Sequence, residues 1–136
     1  MHKRCDMEKQ WKQVAFLKKK GGEKMPRKKL PKQYGISEFR FRELYYYTLQ
    51  YPEWEKAYLA GKKSPEELES LRRKMDEIDI LCLRAEEGLA EYIRAGVIWK
   101  DMTYTTLRSV FGIPCDRNTY YKYRRKFYWL LDKERK

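Results

Sequence analysis

The sequence predicts an all-α protein: a small helical bundle with a long central helix and a C-terminal helix-turn-helix, preceded by a flexible basic arm. Three observations carry this. Every periodic apolar signal from Ser37 onward has helical spacing. Ser64-Pro65-Glu66-Glu67 is a strong helix start, followed by more than three heptads of apolar seam. Residues 1–35 hold too few apolar side chains to nucleate a core. The implied organisation is an arm over 1–35 and a helical domain over 36–136, with the helix-turn-helix at about 102–131.

Each element has its own signals. Ser37 is the expected N-cap of a helix over 38–50, in which Phe41, Leu44, Tyr45, Thr48 and Leu49 form one apolar stripe. Pro52 opens a shorter helix holding Trp54, Ala57, Tyr58 and Leu59, which Gly61 stops. At the next start Ser64 is the N-cap, Pro65 the first helical residue, and Glu67 is placed to reach back to the N-cap amide. Leu68, Leu71, Met75, Ile78, Cys82, Ala85, Leu89 and Tyr92 then follow at alternating spacings of three and four, with Arg72, Arg73 and Lys74 interleaving with Asp76, Glu77 and Asp79 outside the seam. Gly88 weakens a helix by about 1 kcal/mol relative to Ala, so the seam is either one helix to Ala95 or two helices with a break at the glycine. It packs against residues 38–60 of its own chain or forms a homodimer interface through Leu71, Ile78 and Cys82.

The charge is unevenly spread. Of 136 residues, 32 are Lys or Arg and 20 are Asp or Glu, a formal net charge of +12. Residues 1–35 carry +9, residues 36–112 carry −2 and residues 113–136 carry +5. A near-neutral body flanked by two basic blocks is the asymmetry of a polyanion binder. In the first block Lys18, Lys19, Lys20, Arg27, Lys28 and Lys29 lie among glycines and prolines, as expected of an arm that meets phosphates. A short amphipathic helix around Trp11, Val14, Ala15 and Leu17 precedes Gly21-Gly22 and is too short to stand alone.

Several classes of chemistry find no support. The lone histidine, His2, sits at a terminus, and Cys5, Cys82 and Cys115 are too widely spaced for a disulfide framework or a metal pair. Gly61-Lys62-Lys63-Ser64 lacks the upstream glycine of a phosphate-cradling loop. Glu38, Glu43 and Asp101 are scattered carboxylates without a catalytic spacing, so neither an enzyme nor a cofactor or metal site is expected. No apolar run approaches the ~20 residues of a membrane span, and the start lacks the apolar segment of a secretory signal. A cytoplasmic protein is the expectation.

The C-terminal stretch is the most informative. Tyr104, Leu107, Val110 and Phe111 mark a short helix ended by Gly112, and Ile113-Pro114-Cys115 turns the chain into a second helix capped by Asp116 or Asn118. Tyr120, Tyr123, Phe127, Leu130 and Leu131 are expected to face inward. Arg117, Asn118, Tyr121, Lys122 and Arg125 fall on the opposite face, toward the helix N-terminus. Two short helices joined by a Gly-containing turn, the second strongly basic, form the pattern of a helix-turn-helix DNA reader. In it, arginine pairs with guanine and asparagine with adenine, while Arg124 and Lys126 are assigned to phosphates. The alternative is a basic amphipathic helix that closes the bundle and keeps its charge in water.

Arg40-Phe41-Arg42-Glu43-Leu44-Tyr45-Tyr46-Tyr47 running into Tyr51-Pro52-Glu53-Trp54, then Met102-Thr103-Tyr104, Gly112-Ile113-Pro114-Cys115 and the stretch from Tyr121-Lys122-Tyr123 to Leu131, resemble small proteins of phages and prophages of Gram-positive bacteria. Among these the chain resembles the ArpU/RinA-type late-gene transcriptional regulators. The resemblance spans about residues 36–136. It implies a DNA-binding regulator whose helix-turn-helix is similar to region 4 of sigma factors, with 103–111 as the supporting helix and 118–131 as the recognition helix. It further implies double-stranded DNA as partner, a nucleoid-associated place in a bacterial host, and leaves bacterial RNA polymerase open as a second partner. The competing reading is a helical phage accessory protein that binds and inhibits a host protein or an RNA-protein complex through its basic and aromatic surface.

Overall fold

The computed structural model describes residues 35–135, and these form six α-helices and one 3-10 turn with no strand among them. Ser37 lies in extended backbone and its hydroxyl accepts the Arg40 amide, so α1 (Glu38–Thr48) begins where expected and ends two residues earlier. Leu49 and Gln50 turn the chain directly into α2 (Tyr51–Ala60), which stops on Gly61 at φ +65°, a left-handed conformation that glycine adopts without strain.

Ser64 caps α3 (Pro65–Ala85) by accepting the Glu67 amide. The Glu67 carboxylate, expected on the Ser64 amide, instead accepts from the Ser64 hydroxyl at 3.1 Å. The seam is broken: Glu86 leaves the helix in extended backbone, its side chain accepts the Gly88 amide, and a 3-10 turn (Glu87–Leu89) leads into α4 (Ala90–Ile98). Then follow α5 (Tyr104–Phe111) and α6 (Arg117–Glu134).

Within the bundle α3 packs against α2, α4 and α6, and α6 also packs on α1 and α4. Met75, Ile78, Leu81, Cys82, Ala85 and Leu89 are buried in one contiguous core with Leu44, Tyr51, Ile93, Leu107, Phe127 and Leu131. This settles the alternative left by the seam. Ile78 is 0% and Cys82 1% exposed, with Leu71 packed at the core's edge, so the stripe is covered by its own chain and is not available as the homodimer interface. A small body has few other ways to hide a stripe that long. Burial pushes the Cys82 thiol well above its ordinary range.

Polar contacts lock the C-terminal end of α6 to its neighbours. Arg40 donates to Asp132 at 2.7 Å and to the Arg135 carbonyl, Arg135 pairs with Glu77 at 3.6 Å, and Arg84 pairs with Glu134 at 3.6 Å. Among the described residues no helix is long and apolar enough to cross a membrane. The expected basic arm, with Lys18, Lys19, Lys20, Arg27, Lys28, Lys29 and the short helix around Trp11, lies outside the described residues apart from Gly35.

Candidate nucleic-acid interface

The site is assembled from α5, a five-residue linker and α6. Thr103 caps α5 through the Thr106 amide, and the helix buries Tyr104, Thr106, Leu107 and Phe111 while exposing Thr105, Arg108 and Ser109. It ends on Gly112 at φ +65°, where the amides of Gly112 and Ile113 both donate to the Leu107 carbonyl. Ile113 is 2% exposed and anchors the linker to the core. Of the two expected caps, Asp116 is the one used: its carboxylate accepts the Thr119 amide, and the Thr119 hydrogen bonds hold the Asp116 carboxyl below its ordinary value.

Side-chain contacts between the two helices run from the first turn of α5. The Tyr104 hydroxyl donates to the Cys115 carbonyl, the Tyr104 ring lies 6.0 Å from that of Tyr120, and Arg117 donates to the Thr105 hydroxyl at 3.3 Å while its guanidinium lies 5.4 Å from the Tyr104 ring. The linker thus brings the start of α6 back beside the start of α5. Arg117 is exposed yet already engaged on α5.

On α6 the buried residues are Tyr120, Arg124, Phe127, Tyr128, Leu131 and Asp132. Helical geometry places Asn118, Lys122, Arg125, Lys126 and Trp129 on the side turned away from them. Arg117, Asn118 and Lys122 are exposed and Arg125 and Lys126 half-buried, whereas Tyr121, expected on the outer face, is half-buried against the core with its ring 4.9 Å from that of Tyr120. Cations also lie over the outer rings, Lys122 at 5.3 Å from Tyr123 and Lys133 at 3.8 Å from Trp129. Two inward assignments are only partly met, since Tyr123 and Leu130 are half-buried at the margin of the apolar face.

Arg124 is a correction. Expected on phosphate, it is 5% exposed and points into the bundle, where it donates to the Gly96 carbonyl at 3.5 Å and lies 5.1 Å from the Tyr128 ring. The reason is helical phase. Positions 120, 124, 127 and 131 follow one another at four, three and four residues, so Arg124 occupies the core stripe despite its chemistry. Among the described residues no carboxylate pairs with it, and its Nε and the buried hydroxyls of Tyr45 and Tyr120 have no hydrogen-bond partner. Burial pushes the Tyr45 hydroxyl up to about 12 and raises those of Tyr120 and Tyr128.

The resulting surface is strongly cationic. Between positions 103 and 131 the sole carboxylate is Asp116, against Arg108, Arg117, Lys122, Arg124, Arg125 and Lys126, of which only Arg124 is buried. Arg108 and the Trp129–Lys133 pair escaped the sequence reading. Arg108 sits on the helix read only as support, and Trp129 and Lys133 extend the outward row of Lys122, Arg125 and Lys126 by further turns.

Compared with known proteins, the chain matches no family model, no curated protein and no solved structure.

Proposed function

We propose that the chain is a non-enzymatic, sequence-specific double-stranded DNA-binding regulator of phage type, acting in the bacterial cytoplasm. The observation that carries this reading is the outer face of α6. Asn118, Lys122 and Arg125 project from a helix whose opposite face is fixed by Tyr120, Phe127 and Leu131, all 0% exposed. A helix of this kind fits the major groove, where a guanidinium pairs bidentately with guanine O6 and N7 and an amide with adenine N6 and N7. Asn118, Lys122, Arg125 and Arg117, once it leaves Thr105, take the base-reading role, with Tyr121 beside them. Lys126, Lys133 and Arg108 take phosphates, which fix register without reading sequence. Lys18, Lys19, Lys20, Arg27, Lys28 and Lys29 add affinity on any sequence by counterion release. Bacterial RNA polymerase, as a second partner, rests on the resemblance to sigma-type regulators.

A protein partner is the competing reading, favoured by Phe39 and Tyr46, 75% and 52% exposed on the outer face of α1. Selection of bound duplexes from fragmented phage DNA separates the two. The regulator enriches one sequence and protects it in a footprint; an accessory protein enriches none.

A further inference from the structure

Ile80 and Leu83 lie on the outer side of α3, 48% and 51% exposed and one helical turn apart. Beside them Glu77, Ile80, Leu81, Arg84 and Glu134 line a shallow groove between α3 and the end of α6. Positions 76–91 carry Asp76, Glu77, Asp79, Glu86, Glu87 and Glu91 against Arg84, and of these Glu77 pairs with Arg135, Asp79 meets Tyr51 and Arg94, and Glu86 accepts the Gly88 amide. Asp76 and Glu87 are exposed one turn before and after the aliphatic pair.

The residues that precede the described part of the chain join it ahead of α1, whose first turn contacts the groove's rim. Residues 1–34 join at Gly35, just ahead of α1, and the first turn of α1 is tied to the groove's rim through Arg40, Asp132 and Arg135, which pairs with the lining residue Glu77. Those residues carry an excess of nine positive charges and one apolar set at helical spacing, Trp11, Val14 and Leu17, immediately followed by Lys18, Lys19 and Lys20. The residues between Lys18 and Gly35 span up to ~55 Å when extended, about twice the length of α6, so reach sets no limit.

We propose that the exposed Ile80–Leu83 pair, with the groove beside Ile80, is the docking site for residues 11–20 of the same chain. Trp11 and Leu17 cover the two aliphatic side chains, and Lys18, Lys19 and Lys20 face Asp76 and Glu87, since Glu77 and Glu134 are already paired with Arg135 and Arg84. Both halves of the contact are complementary in kind, apolar on apolar and basic on acidic. The same three lysines are the arm's phosphate contacts in the proposed regulator, so docking sequesters them until DNA draws the arm away. That consequence rests on the proposed function; the docking itself does not.

The test uses the full chain with a photo-crosslinking benzophenone residue in place of Leu83. At low micromolar concentration the expected product is an intrachain crosslink to the tryptic peptides covering residues 10–18. Crosslinks between two chains, rising with concentration, would assign the groove to a second copy and overturn the proposal; so would crosslinks that avoid residues 1–34. Trp11 provides an independent reading, as the difference in acrylamide quenching between the parent and Trp11→Phe. In Ile80→Ser/Leu83→Ser, which changes only exposed positions, quenching of Trp11 should rise at least twofold with helicity unchanged. Unchanged quenching contradicts the docking.

Discussion

Arg124 shows how a single side chain can be polar in chemistry and apolar in position. Arginine stays charged when buried, so in this site it is held by one long hydrogen bond, a tyrosine ring and its own stem. A buried charge without a partner is seldom a source of stability, and an unbranched apolar residue of similar length fits the same stripe. Arg124→Met should therefore melt at or above the parent and bind DNA unchanged, whereas Arg124→Ala should fall about 2–5 kcal/mol below the Met variant through the cavity it leaves. Thermal melts of the three proteins decide it. A loss of DNA affinity in a fully folded Arg124→Met would restore the phosphate role. The opposing wall makes a second test. A Cβ on Gly96 would overlap the Tyr120 hydroxyl and sit 3.1 Å from its ring carbon. Gly96→Ala, ordinarily favourable within a helix, should here destabilise by about 1–3 kcal/mol. In a Tyr120→Phe background denaturant titration should show less than half of that loss.

At the scale of elements, the central helix buries its apolar stripe against its own chain. Ile78 meets its own chain on all sides, so Ile78→Lys should unfold the protein at a cost on the order of 4 kcal/mol and abolish its helical circular dichroism. A variant that stayed helical and merely changed its sedimentation would point to a dimer interface instead. Most helix starts and stops were legible from sequence because they are local: Ser37, Ser64 and Asp116 each satisfy an amide within three residues, and Gly61 and Gly112 each end a helix at φ +65°, whereas the Thr103 cap was not read. The partners of the long seam were not legible, because a heptad stripe has the same spacing whether it faces its own chain or another. The outward row of Asn118, Lys122 and Arg125 was legible from helical phase. Arg124 was misplaced because its basic neighbours, rather than its phase, set the expectation.

The whole molecule separates its charges, with acidic residues gathered along α3 and the following turn and a cationic face on α5 and α6. Its interior is rich in tyrosine, which makes the bundle sensitive to alkali. Tyr45 titrates at 10.0 when unperturbed and at about 12 in the folded chain, chiefly because burial disfavours its ionised form. Between these values the unfolded chain releases a proton that the folded chain keeps. The contribution is thus full below pH 10 and is lost as pH rises toward 12, with Tyr120 and Tyr128 acting in the same direction. Stability measured by denaturant should fall across this window, and Tyr45→Phe should flatten the fall; an unaltered slope would remove Tyr45 as its cause.

The same partition of a rigid apolar interior from a cationic outer face underlies the proposed DNA recognition. Its most direct test is equilibrium binding of the Arg117→Ala/Asn118→Ala/Lys122→Ala/Arg125→Ala variant to the duplex selected by the parent, with melting followed in parallel. The variant should stay folded, because none of the four side chains is buried in the core. It should lose about 1–3 kcal/mol for each base-pairing residue removed and, with that, its preference for the selected sequence over others. A folded quadruple variant that bound the duplex as tightly and as selectively as the parent would contradict recognition by α6.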